Sequence, residues 1–307
     1  MCKIWLLAGV VLALGACQQR APDPLAEAAR ACESAEGQAR IAACTTLIET
    51  GGLDAPARAA ALVRRAEAKR AGEDVTGALR DYEAALRDDE ANNAALLGRG
   101  EILFASGQLD AAQAMVERAA SNDASGKAAL LLGRLALMRG DNAGAITHLD
   151  RALAQSDDLA EAYAARARAK KATDDRDGAR ADYADAIRRD GALAEARAGR
   201  CWLSLEANEN LEQARDDAEA AVLADPRNVE GQICRGILQL RAREPADALS
   251  SFAAALAVEP GNPEALFGHG IARMRTGDSA GSQDMNRARR FSEHIGQRYA
   301  QLGVNTW

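Results

Sequence analysis

The chain has 307 residues, a formal net charge of −7 and only 4% aromatic residues. No basic stripe is present that could neutralise a run of phosphates, which argues against a nucleic-acid partner. A compact single domain of this length usually carries more aromatic bulk, whereas an array of units that pack only on their neighbours needs less.

Residues 1–16 read as a targeting segment. Lys3 supplies a positive start, and Ile4–Leu14 is an apolar run of eleven residues, short of the roughly 20 that span a bilayer. Leu14-Gly15-Ala16-Cys17 resembles the bacterial lipobox, the cleavage motif of the lipoprotein signal peptidase. The resemblance implies that Cys17 becomes the mature N-terminus and carries acyl chains that hold the protein on a membrane. Gln18 follows where an Asp would favour the inner membrane, so the outer membrane is the expected destination. The other reading is an ordinary secretory signal with a coincidental Cys. Residues 17–24 form a tether with two prolines and no apolar periodicity.

Residues 25–50 read as an imperfect helical hairpin turning at Gly37. Cys32 and Cys44 lie almost symmetrically about that turn, so antiparallel helices bring them level. In an exported chain this predicts a disulfide, and otherwise two buried thiols. Closing so short a loop contributes roughly 3 kcal/mol in the chain-entropy model. Asp54 is placed to cap the next helix, with Pro56 in its first turn.

From residue 57 to 290 a pattern repeats seven times. Small residues recur at Ala78, Ala112, Ala145, Ala179, Ala214, Ala248 and Ser282, at intervals of 34, 33, 34, 35, 34 and 34. Seven residues after each of the first six stands another Ala, with Tyr82, Val116, Leu149, Tyr183, Ala218 or Phe252 between them. The preceding helix carries its own small residue at Ala66, Gly100, Gly133, Ala167, Cys201, Gly236 and Gly270. Spacings of three, four and seven put each set on one helical face. Pro245 and Pro263 fall where helices start. The chain therefore resembles a tetratricopeptide-repeat protein, with Gly133-Gly140-Ala145-Leu149-Ala152 and Ala248-Phe252-Ala255-Pro260 as good matches. Its departures are an extra residue in the turns before Ala78 and Ala214, and a last repeat where Ser282, Asn286 and Arg289 replace the small–large–small set. Residues 291–307 read as a capping helix, Phe291–Leu302, and a frayed tail.

The resemblance implies an all-α, right-handed solenoid of helical hairpins whose first helices line a groove for peptides or partner helices. Carried over position by position, the groove residues include Leu97 and Phe104, then Arg134, Leu137 and Met138, then Arg168 and Lys171. Trp202, Ile237, Phe267 and Met274 continue the row. The plainer reading is helix-on-helix packing, preferred for Leu and Ile and even with groove exposure for Phe104, Trp202 and Phe267.

No catalytic, metal or cofactor constellation emerges. Gly277-Asp278-Ser279-Ala280-Gly281 fits a hydrolase nucleophile elbow in sequence, but sits in a helix-to-helix turn rather than after a strand. Thr173–Gly178 is better read as a capped turn than as a calcium loop. His148, His269 and His294 have no second ligand at a metal spacing. Cys201 and Cys234, one repeat apart, could bridge neighbouring first helices, though buried free thiols are the preferred reading. The expected protein is a non-enzymatic, monomeric scaffold without cofactor. It is anchored by lipid, faces the periplasm and docks other envelope proteins on its groove. The alternatives are a self-associating structural solenoid and a hydrolase using Ser279. The residues do not choose a partner.

Overall fold

The structure, a computed structural model, describes residues 24–305. The targeting segment, Cys17 and the tether up to Asp23 lie outside the described residues, as do Thr306 and Trp307. The described residues form 17 helices and no strand. They fall into two compact units that divide between Glu90 and Ala91.

The first unit holds α1 (Pro24–Ser34), α2 (Gly37–Thr50), α3 (Ala55–Ala71) and α4 (Val75–Asp88). Pro24 opens α1, a position where its missing N–H costs nothing. A disulfide joins Cys32 to Cys44 across α1 and α2, with Cα atoms 4.7 Å apart. Leu47 and Ala61 are buried against it. Asp54 caps α3 by accepting from the Ala57 N–H at 2.9 Å. Tyr82 fills the α3–α4 hairpin at 1% exposure.

The second unit holds six hairpins and a final helix. The first helices of the hairpins are α5 (Asn93–Ala105), α7 (Lys127–Met138), α9 (Ala160–Ala172), α11 (Ala194–Ala207), α13 (Val229–Arg241) and α15 (Pro263–Arg275). The second helices are α6 (Leu109–Ala120), α8 (Asn142–Gln155), α10 (Arg176–Arg189), α12 (Leu211–Ala224), α14 (Pro245–Val258) and α16 (Gly281–Phe291). The last helix is α17 (Ile295–Gln301). Asn92, Asn228 and Asn262 cap first helices, each accepting from a backbone N–H three residues on. Asp141 and Asp175 do the same for second helices. The acidic turn at Thr173–Gly178 is thus a helix cap, with Asp175 accepting from the Gly178 N–H at 2.9 Å.

The turn residue just before the second helix has a left-handed backbone. Gly107, Gly140 and Gly277 supply it with φ of 76°, 76° and 93°. Glu73, Asp174 and Arg243 hold the same place without glycine, at 65°, 64° and 63°. The α3–α4 turn therefore has the ordinary length, and the extra residue expected before Ala78 is absent. The one before Ala214 is real, and Asn208 and Asn210 absorb it at φ 55° and 50°.

Small residues on paired helices let the hairpins close, and the larger residue between them fills the seam. Val116, Leu149 and Phe252 are fully buried, and Tyr183 is 2% exposed. The fit is close: a Cβ on Gly133 would stand 2.5 Å from the Leu149 side chain. In the last repeat the pattern persists one residue earlier than the sequence suggested. Gly281, Met285 and Ala288 are buried, while Ser282, Asn286 and Arg289 are exposed. Gly270 and Gly281 pack backbone to backbone, a Cβ on either falling within 2.6 Å of the other's carbonyl oxygen.

Polar staples recur within the hairpins. Arg166 forks onto Asp182 with bonds of 2.8 and 2.7 Å, and Lys170 reaches the same carboxylate at 2.8 Å. In the first unit Arg65 forks onto Asp81 at 2.8 and 2.7 Å, with Lys69 at 2.7 Å. Arg200 forks onto Asp217 at 2.7 and 2.8 Å. Arg235 meets Ser251 at 3.0 Å, and His269 meets Asp284 at 2.9 Å, in the equivalent places. Such bidentate charge-assisted pairs fix geometry as well as adding energy. The α5–α6 and α7–α8 hairpins carry Met115 and His148 where the carboxylate would stand.

Two cysteine and tail expectations change. Cys201 and Cys234 are joined by a disulfide rather than left as thiols, with Cα atoms 6.5 Å apart. Side-by-side packing of α11 and α13 brings them together despite their unequal positions in the repeat. The tail is not frayed over its described part. α16 runs through Phe291, and α17 then folds back onto α15, with the Tyr299 and Phe267 rings 5.1 Å apart. Leu302 and Val304 are buried. Arg241 and Arg275 donate to the backbone oxygens of Leu302 and Asn305 at 3.0 and 2.7 Å.

Candidate partner-binding groove

The first helices of the second unit place their exposed faces along one groove. At its start the Arg134 guanidinium lies over the Phe104 ring, 5.3 Å from the centroid. Phe104, Arg134, Leu137, Met138 and Arg168 line a cavity of 330 Å³, joined by Ala165, Leu193, Glu161 and Glu195. Met138 is 61% exposed on the wall of this cavity. Leu137, Arg168, Lys171 and Trp202 line a second cavity of 530 Å³, which Glu230, Glu264 and Arg298 complete. A third, of 540 Å³, shares Arg168, Glu230 and Glu259 with it.

Charge along the groove is ordered. Arg134 pairs with Glu161 at 3.3 Å, and Arg168 pairs with Glu195 at 3.1 Å. Each arginine sits mid-helix on one first helix, and each glutamate in the first turn of the next. The glutamates recur as Glu161, Glu195, Glu230 and Glu264, one per repeat. At the third step Trp202 occupies the arginine's place. Its indole Nε1 donates to the Glu230 backbone oxygen at 3.2 Å. Lys171 and Arg298 approach the Trp202 ring at 5.9 and 5.5 Å, and both also pair with Glu206, at 3.1 and 3.7 Å. Glu264 is met by Arg298 at 3.6 Å. The Glu230 carboxylate makes no ion pair or hydrogen bond among the described residues. Although Glu230 is exposed to solvent, the crowding of protein around it raises its pKa above the usual glutamate value; Arg168 and Lys171 oppose this and Glu195 adds to it.

Not every expected groove residue faces the groove. Ile237 and Phe267 are wholly buried. Ile237 belongs to the core shared with Cys201, Cys234 and Leu240. Phe267 is covered by Tyr299 of α17, with Arg289 5.5 Å from its ring centroid. Trp202 is only 7% exposed, although it lines the 530 Å³ cavity. Leu97 is half-buried, Met274 sits beside Gly281 at the α15–α16 turn, and neither lines the three cavities. The glutamate row and Arg298 went unnoticed in the sequence, although a 34-, 35- and 34-residue spacing of the glutamates was there to find. Ser279 lies between two helices, its backbone oxygen accepting from Ser282 Oγ at 2.9 Å, without the strand that an elbow requires. His269 is held by Asp284, which Arg273 also meets at 3.0 Å.

A family profile described as tetratricopeptide repeat matches residues 63–112, 102–160 and 234–293, just over half of the chain. The chain belongs to the tetratricopeptide-repeat family. Proteins of this family are generally protein-interaction scaffolds that bind protein or peptide partners. Solved structures with the same fold include the APC/C hetero-tetramer Cut9–Hcn1, at 15% identity and a TM-score of 0.63, covering 86% of this chain and 52% of that one. The pilF protein of Pseudomonas aeruginosa gives 15% identity and a TM-score of 0.57, covering 69% of this chain and 97% of that one. A tetratricopeptide repeat protein from Parabacteroides merdae gives 17% and 0.52, covering 80% and 98%. These likenesses show the fold alone. No curated protein sequence matches the chain. Among the described residues no helix is long and apolar enough to cross a membrane, and no group of three or more His, Cys, Asp or Glu could hold a metal ion.

Proposed function

We propose that this tetratricopeptide-repeat chain is a non-enzymatic scaffold of the bacterial cell envelope. It is lipid-anchored through Cys17, faces the periplasm, and holds an extended segment of a partner protein in the groove of its second unit. The observation that carries the binding role is the cavity formed by Phe104, Arg134, Leu137 and Met138, which offers apolar surface and a cation side by side. Aromatic, Met and Arg side chains are the types enriched where proteins meet. The lipobox-like Leu14–Cys17 stretch supports the anchor, and two disulfides fit an oxidising compartment.

Affinity capture from native membranes, followed by mass spectrometry, tests the binding role. Wild type is compared with Phe104→Ala/Met138→Ala, a pair chosen because neither side chain is fully buried. A partner recovered by wild type and lost with the double variant is the expected result. Equal recovery from both would move the binding surface elsewhere. The anchor has its own check: Cys17→Ser should leave the membrane fraction, and unchanged partitioning would refute lipidation.

A further inference from the structure

The arginine–glutamate row of the groove has one step without its cation. Arg134 neutralises Glu161 and Arg168 neutralises Glu195, in each case from the helix before. The residue that would serve Glu230 in the same way is Trp202, and an indole cannot. Glu264, one step further, receives Arg298 from α17. Glu230 alone in this row lacks a cation, and it lies on the wall shared by the 530 and 540 Å³ cavities. The other cations of the 530 Å³ cavity are engaged elsewhere, Lys171 with Glu206 and Arg298 with Glu206 and Glu264. The 540 Å³ cavity is lined by Glu195, Asp225, Glu230 and Glu259 against Arg168 and Arg227. Arg168 is already held by Glu195 at 3.1 Å. Glu230 is exposed to solvent and so open to a ligand, and the protein crowded around it raises its pKa against the opposing charges of Arg168 and Lys171.

We propose that the missing cation comes from the partner: the groove binds an extended peptide segment that places an arginine side chain on Glu230 and an apolar side chain in the Phe104–Met138 cavity. This rests on the groove reading above and adds the chemistry of its ligand. A guanidinium can meet a carboxylate in a planar fork, and the groove already pairs arginine with glutamate twice, through one bond each. A metal ion is the weaker candidate, because the described residues hold no group of three ligands around Glu230. The two cavities share Leu137 and Arg168, so one extended segment can reach both.

The test uses the full chain, immobilised in detergent, and a decapeptide library with one fixed Leu and all other positions degenerate, at about 0.15 M salt. The retained pool is sequenced. Wild type should enrich Arg, and Lys less strongly, over Asp and Glu. Glu230→Gln should abolish that charge preference while total retention and apolar selection persist. For an Arg-containing peptide taken from the pool, Glu230→Gln should weaken affinity about tenfold, the size expected for one charge-assisted pair. Glu230→Arg should reverse the preference toward acidic peptides. A pool without Arg enrichment, or enrichment indifferent to Glu230→Gln, overturns this inference. If retention in that case still depends on Phe104 and Met138, the groove reading stands without it. Retention no greater than that of Phe104→Ala/Met138→Ala removes both.

Discussion

The Arg166–Asp182 staple gives a prediction that can be sized from its geometry. The Asp182 side chain is 4% exposed and receives three charge-assisted bonds, two from Arg166 and one from Lys170. Those bonds raise the Arg166 pKa further, against the opposing effect of its burial. Asp182→Ala strips Arg166 and Lys170 of this partner. Removing one side of a fully buried pair costs about 3–5 kcal/mol. Two features reduce that. The cation side chains are 17% and 21% exposed, and Arg166 keeps Asp150 at 2.6 Å. The expected loss is therefore about 2–3 kcal/mol. A repeat array opens in segments, so the appropriate measurement is native-state hydrogen exchange of the α9 and α10 amides, with α13 and α14 as internal reference. Exchange there should quicken roughly 30- to 150-fold, since each 1.4 kcal/mol is tenfold. The companion variant Arg166→Leu/Asp182→Ala copies the leucine that α7 carries at Leu132 and leaves no stranded guanidinium. It should recover at least half of the loss. If the double variant exchanges as fast as the single one, the reasoning from an unpaired buried charge is wrong.

Three further outcomes follow from the same geometry. Asp174→Gly and Arg243→Gly relieve left-handed backbone at non-glycine residues and should each raise stability by about 1 kcal/mol, read from the shift in denaturation midpoint. Burial pushes the Asp81 carboxyl up, but hydrogen bonds and charge from Arg65 and Lys69 outweigh it and hold its pKa below the usual value. Its contribution is thus fully present above the unfolded pKa of about 3.9 and fades as pH falls through the lower folded value. Acid unfolding of the α3–α4 hairpin should show that loss, and Asp81→Asn should flatten it. Cys201→Ala/Cys234→Ala opens a bridge across a sequence separation of 33 and should cost roughly 3–4 kcal/mol, as should reduction of wild type, followed by urea unfolding.

Much of the fold is legible in the sequence because a repeat states each instruction several times. Ala112, Val116 and Ala119 are individually bland, and their recurrence makes them a seam. The last repeat shows the limit. Its register shifts by one, to Gly281, Met285 and Ala288, where the backbones of Gly270 and Gly281 touch. A fixed period could not reveal a contact made by the absence of two side chains. The groove is legible at Phe104, Arg134 and Met138, which stand on exposed helix faces. Phe267 has the repeat position of Leu97, yet α17 covers it, and nothing local to Phe267 announces a helix arriving from beyond α16. The glutamate row went unread for a different reason. Single acidic residues in a first helical turn look like ordinary dipole partners, and only the pairing across helices distinguishes them.

Three hairpins of the second unit lack a carboxylate at the staple position, and two of them, α5–α6 and α7–α8, carry Phe104, Arg134, Leu137 and Met138. Apolar contacts hold a pair of helices together but resist sliding weakly, since one shallow minimum passes into the next. A forked ion pair is directional and resists shear. Stiffness is therefore uneven along the second unit: compliant at α5–α6 and α7–α8, firmer at α9–α10 and α11–α12, where the forked pairs stand. A partner can wedge the first two hairpins apart to fit its own side chain while the next two keep the register of the groove. The part that tolerates variety and the part that enforces choice are thus separate lengths of the same array.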